Sequence, residues 1–466
     1  MDEITNRFLE LFNEISQIPR ESGKEKKFAD FLELFAKKNN LKCYRDENNN
    51  VLIKKRGNKE NNEPIILQAH IDMVCVKRED SNHNFEVDPI EIVRNGDIIS
   101  AKDTSLGADQ GIGLAIMLLI LENNQIKHPD LECLFTTEEE TTFNGAVNFD
   151  YSKLNGKRMI NLDHCKDDSI VIGCDADICN KYIFEGELIT SNIPSYRIKI
   201  SNVKGGNSGI EIERSNKSAI IRMAKIIQKL QAEDDVLVCK ISGGDSEGDI
   251  ATSCESIIKT KIKDIENKII DDSLEDDMQI QVNKIDNNLS FSTEDSKKII
   301  NEIMNLKQGV IASNNNVITS GNIGVVETMT NKVIITGILR SLEEKDLQKY
   351  NQEHYLISSN NNFIVEEIYQ DSAWIPNMNS KLKENYKNIY YKVNGAYPDF
   401  EITHGGLECS CISEKIKGLD MISIGSIIED FHTVNEKMYI SSCKKTIKVL
   451  LTYLECENNE IELKRK

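Results

Sequence analysis

Several features that define large protein classes are missing from this sequence of 466 residues. It has no apolar run long enough to cross a bilayer, and its opening stretch, MDEITNRFLELFNEI, has the spacing of an amphipathic helix and not the basic and apolar segments of a signal peptide. It has no excess of positive charge either, because the formal net charge is −19. We therefore expect a cytoplasmic protein that binds neither nucleic acid nor a membrane.

A pattern of paired cysteines is also missing. The twelve cysteines include no Cys-x-x-Cys pair, and many of them stand in apolar runs such as 72–75 and 131–135. This placement predicts buried, reduced thiols that pack as small apolar side chains. With 39% hydrophobic and 29% charged residues, the composition is that of a globular protein long enough for two or three domains.

The order of apolar segments predicts an α/β fold with an insertion. In the first part, short and almost wholly apolar runs, such as the one ending at His70, alternate with helical patterns, which indicates a mostly parallel sheet with helices on both faces. In the middle, strands alternate polar and apolar residues, as an α+β domain with a half-exposed sheet requires. We predict a catalytic domain split between residues 1–185 and 374–466, and an inserted domain at 186–373.

Acidic and histidine residues follow the predicted buried strands. His70 and Asp72 end one strand, Glu138–Glu140 follow another, Asp163 ends a third, and Asp109 stands between glycines at the head of a helix. Three of these features have a structural alternative: His70 and Asp72 as a strand-end pair, Glu138–Glu140 as a solvated acidic face, and Asp109 as a helix cap. Because ligands gather beyond the carboxyl ends of parallel strands, and no lysine or arginine is interleaved there, the group as a whole favours a site for divalent cations.

These segments resemble those of a known family. LQAHIDMV (67–74), LGADQGIGLA (106–115), TTEEET (136–141), NLD (161–163), ITHGGLECS (402–410), and MISIG (421–425) followed by Phe431-His432 are similar to motifs of the M20 metallopeptidases, and most of all to the aminoacyl-histidine (Xaa-His) dipeptidase branch. The similarity runs in order through nearly the whole chain. It implies a zinc-peptidase-like catalytic domain, an inserted lid domain and hydrolysis of a dipeptide bond.

The resemblance also implies the role of each site residue. It implies Asp109 as a carboxylate bridging two metal ions, His70 and Asp163 as further ligands of one ion, Glu140 and His432 as further ligands of the other, Glu139 as general base and Asp72 as the acid that orients His70. The ions it implies are two Zn²⁺, although mixed nitrogen and oxygen ligands also suit Mn²⁺ or Co²⁺. Family members carry a cis peptide after the bridging acid, so a cis bond between Asp109 and Gln110 is expected.

The resemblance also implies residues that contact the substrate. The resemblance implies that Arg340 contacts the substrate's C-terminal carboxylate and that His404 and Glu408 border the substrate, although a strand-end arginine and hydrogen-bonding residues beside a glycine turn are structural alternatives. The chain departs from the family at two places: Asn207 replaces the histidine of a GGHSG motif, and the segment 248–252 lacks the residues of an NAIPR-like motif. Asn207 still donates a neutral hydrogen bond, but it cannot become cationic.

Three readings of the function follow. The first is a metal-dependent dipeptidase that acts on small peptides, with Xaa-His or β-alanyl-His dipeptides as candidates, and that forms a homodimer through the lid. The second is another M20-type hydrolase, either an aminotripeptidase or an N-acyl amino-acid deacylase. The third is a catalytically weak peptide-binding relative, which the two departures motivate and the presence of Glu139 disfavours.

Overall fold

The computed structural model describes residues 1–58, 63–209, 211–270, 278–314 and 316–456. These residues form two compact units. Unit 1 comprises Met1–Gly173, Trp374–Ile402 and the chain from Leu407 onward, and unit 2 comprises Cys174–Ala373 and Thr403–Gly406. The return at residue 374 coincides with the predicted boundary. The predicted boundary at 185/186 is wrong, because the strand Ala176–Glu185 pairs with two strands of unit 2.

Unit 1 is built on an eight-stranded sheet. In spatial order its strands are Lys42–Arg45, Val51–Lys55, Leu131–Thr136, Ile65–His70, Arg158–His164, Asp420–Gly425, Ser169–Cys174 and Asp399–Thr403. The four strands from Leu131–Thr136 to Asp420–Gly425 run parallel to one another. Val51–Lys55 pairs antiparallel with both of its neighbours, and Ser169–Cys174 pairs antiparallel with Asp420–Gly425. The predicted α/β class is confirmed, with the parallel arrangement at the centre of the sheet. A smaller sheet consists of Ile92–Asn95, Ile98–Ala101, Ile428–Glu429 and Lys437–Tyr439.

Helices cover both faces of the larger sheet. Among the described residues, the helices of unit 1 are Asp2–Ser16, Lys26–Lys38, Ala108–Glu122, Asn144–Asn148, Lys381–Asn394, Cys409–Lys415 and Ile440–Cys456. The first is helical because its apolar residues recur with the helical period, and Phe8, Leu11, Phe12 and Ile15 are buried against the main core. On the opposite face, Gln68 contacts Glu408, which begins the helix Cys409–Lys415.

Unit 2 contains a nine-stranded sheet whose described pairings are all antiparallel. Its strands are Gln279–Ile285, Ser195–Ser201, Cys254–Thr260, Val236–Gly243, Asn316–Met329, Lys332–Ser341, Ala176–Glu185 and Ile364–Asp371 in spatial order, with Gly309–Asn314 paired to Asn316–Met329. Its described helices are Ala219–Glu233, Ile265–Ile270, Thr293–Asn305 and Glu344–Asn360. Two short ladders, Ile189–Thr190 with Leu289–Ser290 and Gly206–Asn207 with Asp249–Ile250, complete it. The α+β character predicted for the insertion is confirmed.

Two further expectations concern the described residues as a whole. No disulfide joins cysteines there, and seven of the twelve are buried. In the part of the chain that the structure describes, no helix is both long enough and apolar enough to cross a membrane.

Candidate metal centre

The parallel strands of unit 1 deliver the predicted site residues to one edge of the sheet. His70 is the last residue of Ile65–His70, and Asp163 is the penultimate residue of Arg158–His164. Glu139 and Glu140 follow the end of Leu131–Thr136, which lies parallel to the strand of His70. Because the carboxyl ends of parallel strands meet at one edge, side chains that are far apart in the sequence converge there.

Asp109 lies between two imidazoles. Its Oδ1 is 3.5 Å from Nε2 of His70, and its Oδ2 is 3.2 Å from Nε2 of His432. The same His432 nitrogen is 3.0 Å from Oε2 of Glu140. Asp109 therefore has one oxygen directed to each histidine, which is the placement a bridging carboxylate needs.

Glu139 and Asp163 complete the cluster. Their carboxylate oxygens are 3.9 Å and 3.8 Å from Nε2 of His70. Two sets of three candidate ligand atoms result, each set lying within 4.8 Å: one from His70, Glu139 and Asp163, the other from His70, Asp109 and Glu140.

The electrostatics of the cluster suit divalent cations. Burial raises the pKa of Glu139 well above its usual range, and the negative charges of Asp163 and Glu140 add to the effect. The side chain of His70 is 1% exposed, and neither of its ring nitrogens has a hydrogen-bond partner within the described protein. Adjacent buried carboxylates repel one another unless a cation neutralises them, and an imidazole with carboxylates at this spacing is a donor set that zinc accepts.

Asp72 is a buried acid that contacts three residues of the cluster. It is fully buried, and its Oδ1 lies 3.4 Å from Nδ1 of His70. It also accepts hydrogen bonds from the Ser22 hydroxyl (2.8 Å) and from the backbone N–H groups of Glu139 and Glu140 (both 3.1 Å). Although burial opposes ionisation, the neighbouring His70 imidazole, with smaller contributions from the Ser22 hydroxyl and the Glu140 N–H, holds the pKa of Asp72 below its usual value. One carboxylate thus lies against the ring of His70 and binds the main chain of both glutamates.

The main chain at Asp109 is irregular. Gly107 has a φ of 69°, in the left-handed region that glycine adopts most readily, and Asp109 and Gln110 depart from helical angles at the start of Ala108–Glu122. The peptide bond between Asp109 and Gln110 is cis, as expected. The Gln110 amide donates a 2.8 Å hydrogen bond to Oδ1 of Asp163, which links two of the predicted ligands.

Unit 2 holds three of the predicted substrate-contacting residues. Nη1 of Arg340 donates to the Ser208 hydroxyl at 2.8 Å, while its Nε makes no hydrogen bond within the described protein and lies 3.9 Å from Oδ2 of Asp177. His404 lies between Ser320 and Asp175: its Nε2 is 2.5 Å from the hydroxyl of Ser320, and its Nδ1 is 2.5 Å from Oδ2 of Asp175. Ser320 also pairs with Arg340 in the ladder between Asn316–Met329 and Lys332–Ser341. Arg340 and His404 therefore both lie at this pair of strands.

The two departures from the family pattern are neighbours in unit 2. Asn207 pairs with Asp249, and Gly206 with Ile250, in the ladder between Gly206–Asn207 and Asp249–Ile250. Oδ1 of Asn207 accepts from the N–H of Gly209 at 2.7 Å. The amide is therefore partly engaged by its own loop.

Glu408 is placed differently from the other predicted substrate residues. It is in unit 1 and has no exposed surface. Its Oε2 accepts from the Gln68 amide (2.5 Å) and from the Thr136 hydroxyl (2.7 Å), and burial raises its pKa to about 7. These contacts fit the structural alternative, in which Glu408 ties its loop to the sheet.

Four residues to which sequence reasoning assigned no role at the site support the cluster. They are Arg20, Ser22, Gln110 and Glu436. Arg20 and Ser22 lie in the segment IPRESG (18–23), and Glu436 comes four residues after His432. Sequence spacing gives no sign of their contacts, since each acts on loops that are distant in the chain.

Known proteins resemble this chain in sequence and in fold. The model of peptidase family M20/M25/M40 matches residues 66–455. The cytosol non-specific dipeptidase of Escherichia coli (strain K12) is 27% identical over 462 residues, covering 93% of this chain and 94% of that protein. Aminoacylhistidine dipeptidase from Vibrio alginolyticus superimposes with a TM-score of 0.74 at 26% identity, covering 97% of this chain and 96% of the other. A tripeptidase from Staphylococcus aureus shares the fold, with a TM-score of 0.62 at 18% identity and coverage of 97% and 98%.

The fold and the site define a class of protein: a peptide-bond hydrolase with a candidate metal centre at the carboxyl edge of a parallel sheet. The family match then makes the assignment specific. The chain belongs to peptidase family M20/M25/M40, as its motifs predicted.

Proposed function

We propose that this protein is a metal-dependent dipeptidase with two divalent ions, most suitably Zn²⁺. The observation that carries the proposal is the position of Asp109, with one carboxylate oxygen directed at His70 and the other at His432. In this assignment Asp163 completes one site and Glu140 the other. Two ions held there would activate a water molecule and polarise the carbonyl of the scissile bond.

The chain's own residues divide the remaining work. Glu139 takes a proton from the attacking water and passes it to the amine that leaves, which is the role of a general base and then of a general acid. Asp72 holds His70 in the ring orientation that presents Nε2 to the cluster. The main-chain bonds from Glu139 and Glu140 to Asp72 support this division, because they fix both glutamates at one carboxylate.

Substrate recognition is assigned to unit 2. Arg340 binds the C-terminal carboxylate of the peptide, which a planar guanidinium suits. Its Nε makes no hydrogen bond within the described protein and lies 3.9 Å from Oδ2 of Asp177. His404, held by Asp175 and Ser320, and Asn207 contact the rest of the substrate. Glu408, predicted to contact it too, acts through its loop. The relatives named as dipeptidases support a small peptide, and the Vibrio protein's name supports a C-terminal histidine.

The proposal is tested by hydrolysis assays on a panel of Xaa-His, Xaa-Gly and β-alanyl dipeptides, with tripeptides and N-acyl amino acids as rivals. We expect dipeptide hydrolysis that a chelator abolishes and a divalent ion restores. Glu139→Gln should lower kcat by about 10²- to 10⁴-fold while the metal content is kept, as the loss of a general base predicts. Glu138→Gln is the matched control. Activity that survives both chelation and Glu139→Gln would exclude this mechanism.

Arg340 is tested separately. Arg340→Lys keeps the positive charge but loses the fork of donors, so we expect a KM at least about tenfold higher, with kcat changed much less. Arg340→Lys should not weaken hydrolysis of a dipeptide amide, which lacks the carboxylate. An equal loss on both substrates would contradict the assignment.

The cytoplasmic location and the homodimer remain proposals. The name of the Escherichia coli relative supports the first. For the second, the edge strand Ile364–Asp371 of unit 2 exposes Ile364 (67%) and Ile368 (44%), and the neighbouring helix Glu344–Asn360 exposes Leu356 (66%). Light scattering of the parent and of Ile364→Lys/Ile368→Lys decides whether a dimer forms through this edge.

A further inference from the structure

A carboxylate outside the predicted ligand set binds the loop that carries Asp109. Glu436 is 2% exposed, and it accepts hydrogen bonds from the N–H groups of Leu106 (2.8 Å), Gly107 (3.0 Å), Ala108 (2.8 Å) and Asp109 (3.4 Å). The helix Ala108–Glu122 has no side-chain cap of its own. Glu436 therefore supplies from a distant segment the acceptors that the start of this helix lacks.

The same loop is held from its other side by a cation. Arg20 is 2% exposed, and its guanidinium donates to the carbonyl oxygens of Gly107 (2.5 Å), Asp72 (2.6 Å) and Ile71 (3.1 Å). The residue Gly107 thus has its N–H bound by Glu436 and its carbonyl bound by Arg20. A β-carbon at Gly107 would lie 2.5 Å from Arg20 Nη2, so the clamp also requires glycine here.

Glu436 belongs to the segment that carries the second histidine. Asp430 and His432 have φ angles of 51° and 62°, a region that non-glycine residues adopt only where the surroundings impose it. Thr433 closes the turn, since its hydroxyl donates to the Asp430 carbonyl and its own carbonyl accepts from the N–H of Glu436. Glu436 thus ends a strained turn and anchors it to the Asp109 loop.

We propose that Glu436 is a positioning residue of the metal centre, which fixes Asp109 and His432 relative to each other by clamping the backbone of Leu106–Asp109. The inference deepens the proposed function and rests on it for the metal-binding role of these two residues. It predicts that both ligands lose their placement together when the clamp is weakened. A glutamine is the sharpest change, because its amide nitrogen would face N–H donors where an oxygen now accepts.

The experiment compares Glu436→Gln with a matched control, Glu132→Gln. Glu132 is 3% exposed in the same unit and likewise accepts backbone hydrogen bonds, from Asn155 (2.7 Å) and Gly156 (2.9 Å), away from the cluster of ligands. Zinc affinity is measured by competition with a chelating dye, and hydrogen exchange of the backbone is measured in the metal-free proteins. Glu436→Asp, which keeps the charge but is one methylene shorter, serves if Glu436→Gln fails to fold.

We expect Glu436→Gln to weaken zinc binding by about 10- to 100-fold and to speed exchange of the amides of Leu106–Asp109 by about tenfold, with Glu132→Gln near the parent in both. Cobalt-loaded Glu436→Gln should also show an altered visible spectrum. Unchanged affinity, exchange and spectrum, or equal effects from both variants, would overturn the inference. A parent protein that bound zinc but hydrolysed no peptide would overturn only the proposed function. If it bound no metal, hydrogen exchange would still decide whether the clamp exists.

Discussion

Replacing Asp72 by asparagine should damage both the stability of unit 1 and its metal affinity. The carboxylate is fully buried, with Glu139 N–H on Oδ1 and Glu140 N–H on Oδ2. An asparagine has a single oxygen, so whichever way its amide turns, one of these backbone donors faces an NH₂ group. Because asparagine and aspartate have the same shape, the whole effect of the variant arises from hydrogen bonding and charge.

The size of the effect follows from these contacts. A buried donor without an acceptor costs about 1–3 kcal/mol, and the hydrogen bonds that remain lose their charge assistance, so we expect a loss of about 2–4 kcal/mol in the free energy of unfolding. His70 loses the acid at its Nδ1, for which a fall of about 10- to 100-fold in metal affinity is expected. Ser22→Ala is the matched variant, because it removes one donor and leaves the carboxylate; it should cost about 1 kcal/mol with little change in metal affinity.

The assay uses the sequence's single tryptophan. Trp374 is buried in unit 1, so its fluorescence during urea unfolding of the metal-free protein reports this unit. Zinc affinity is measured by competition with a chelator. If Asp72→Asn and Ser22→Ala have the same stability and the same affinity, the reasoning that assigns Asp72 three simultaneous tasks is refuted.

Two further predictions concern metal removal and pH. Stripping divalent ions should lower the urea midpoint of Trp374 fluorescence, since each ion at about 1,000 times its Kd contributes about 4 kcal/mol, and restoring zinc should reverse the change; a midpoint that ignores zinc would contradict a site in unit 1. In unit 2, burial lowers the pKa of His354 to about 3, while the unfolded chain takes up its proton near pH 6.5. Stability should therefore fall by about 1.4 kcal/mol per pH unit from about pH 6 to 4, and His354→Gln should flatten that slope in unfolding followed by circular dichroism, whereas equal slopes would exclude the histidine as its source.

The elements that the sequence predicted well are those with strong periodicity. The helix expected in the opening stretch spans Asp2–Ser16, and the strand expected to end at His70 spans Ile65–His70. The insertion was misjudged at its start, because Ala176–Glu185 follows directly on a strand of unit 1 and its partners lie about 150 residues or more further on, in Lys332–Ser341 and Ile364–Asp371. Local pattern does not reveal such partners.

The sequence by itself determined the chemistry that is available: imidazoles and carboxylates at the ends of apolar strands, in motifs specific enough to indicate the family. The tertiary structure decided how these groups are held. Asp72 beneath His70, and Arg20 and Glu436 on either side of Gly107, bind backbone groups of distant segments. The physical reason is that every residue except proline carries the same backbone N–H and carbonyl, so their pairing leaves no trace in side-chain spacing and appears only when the chain is folded.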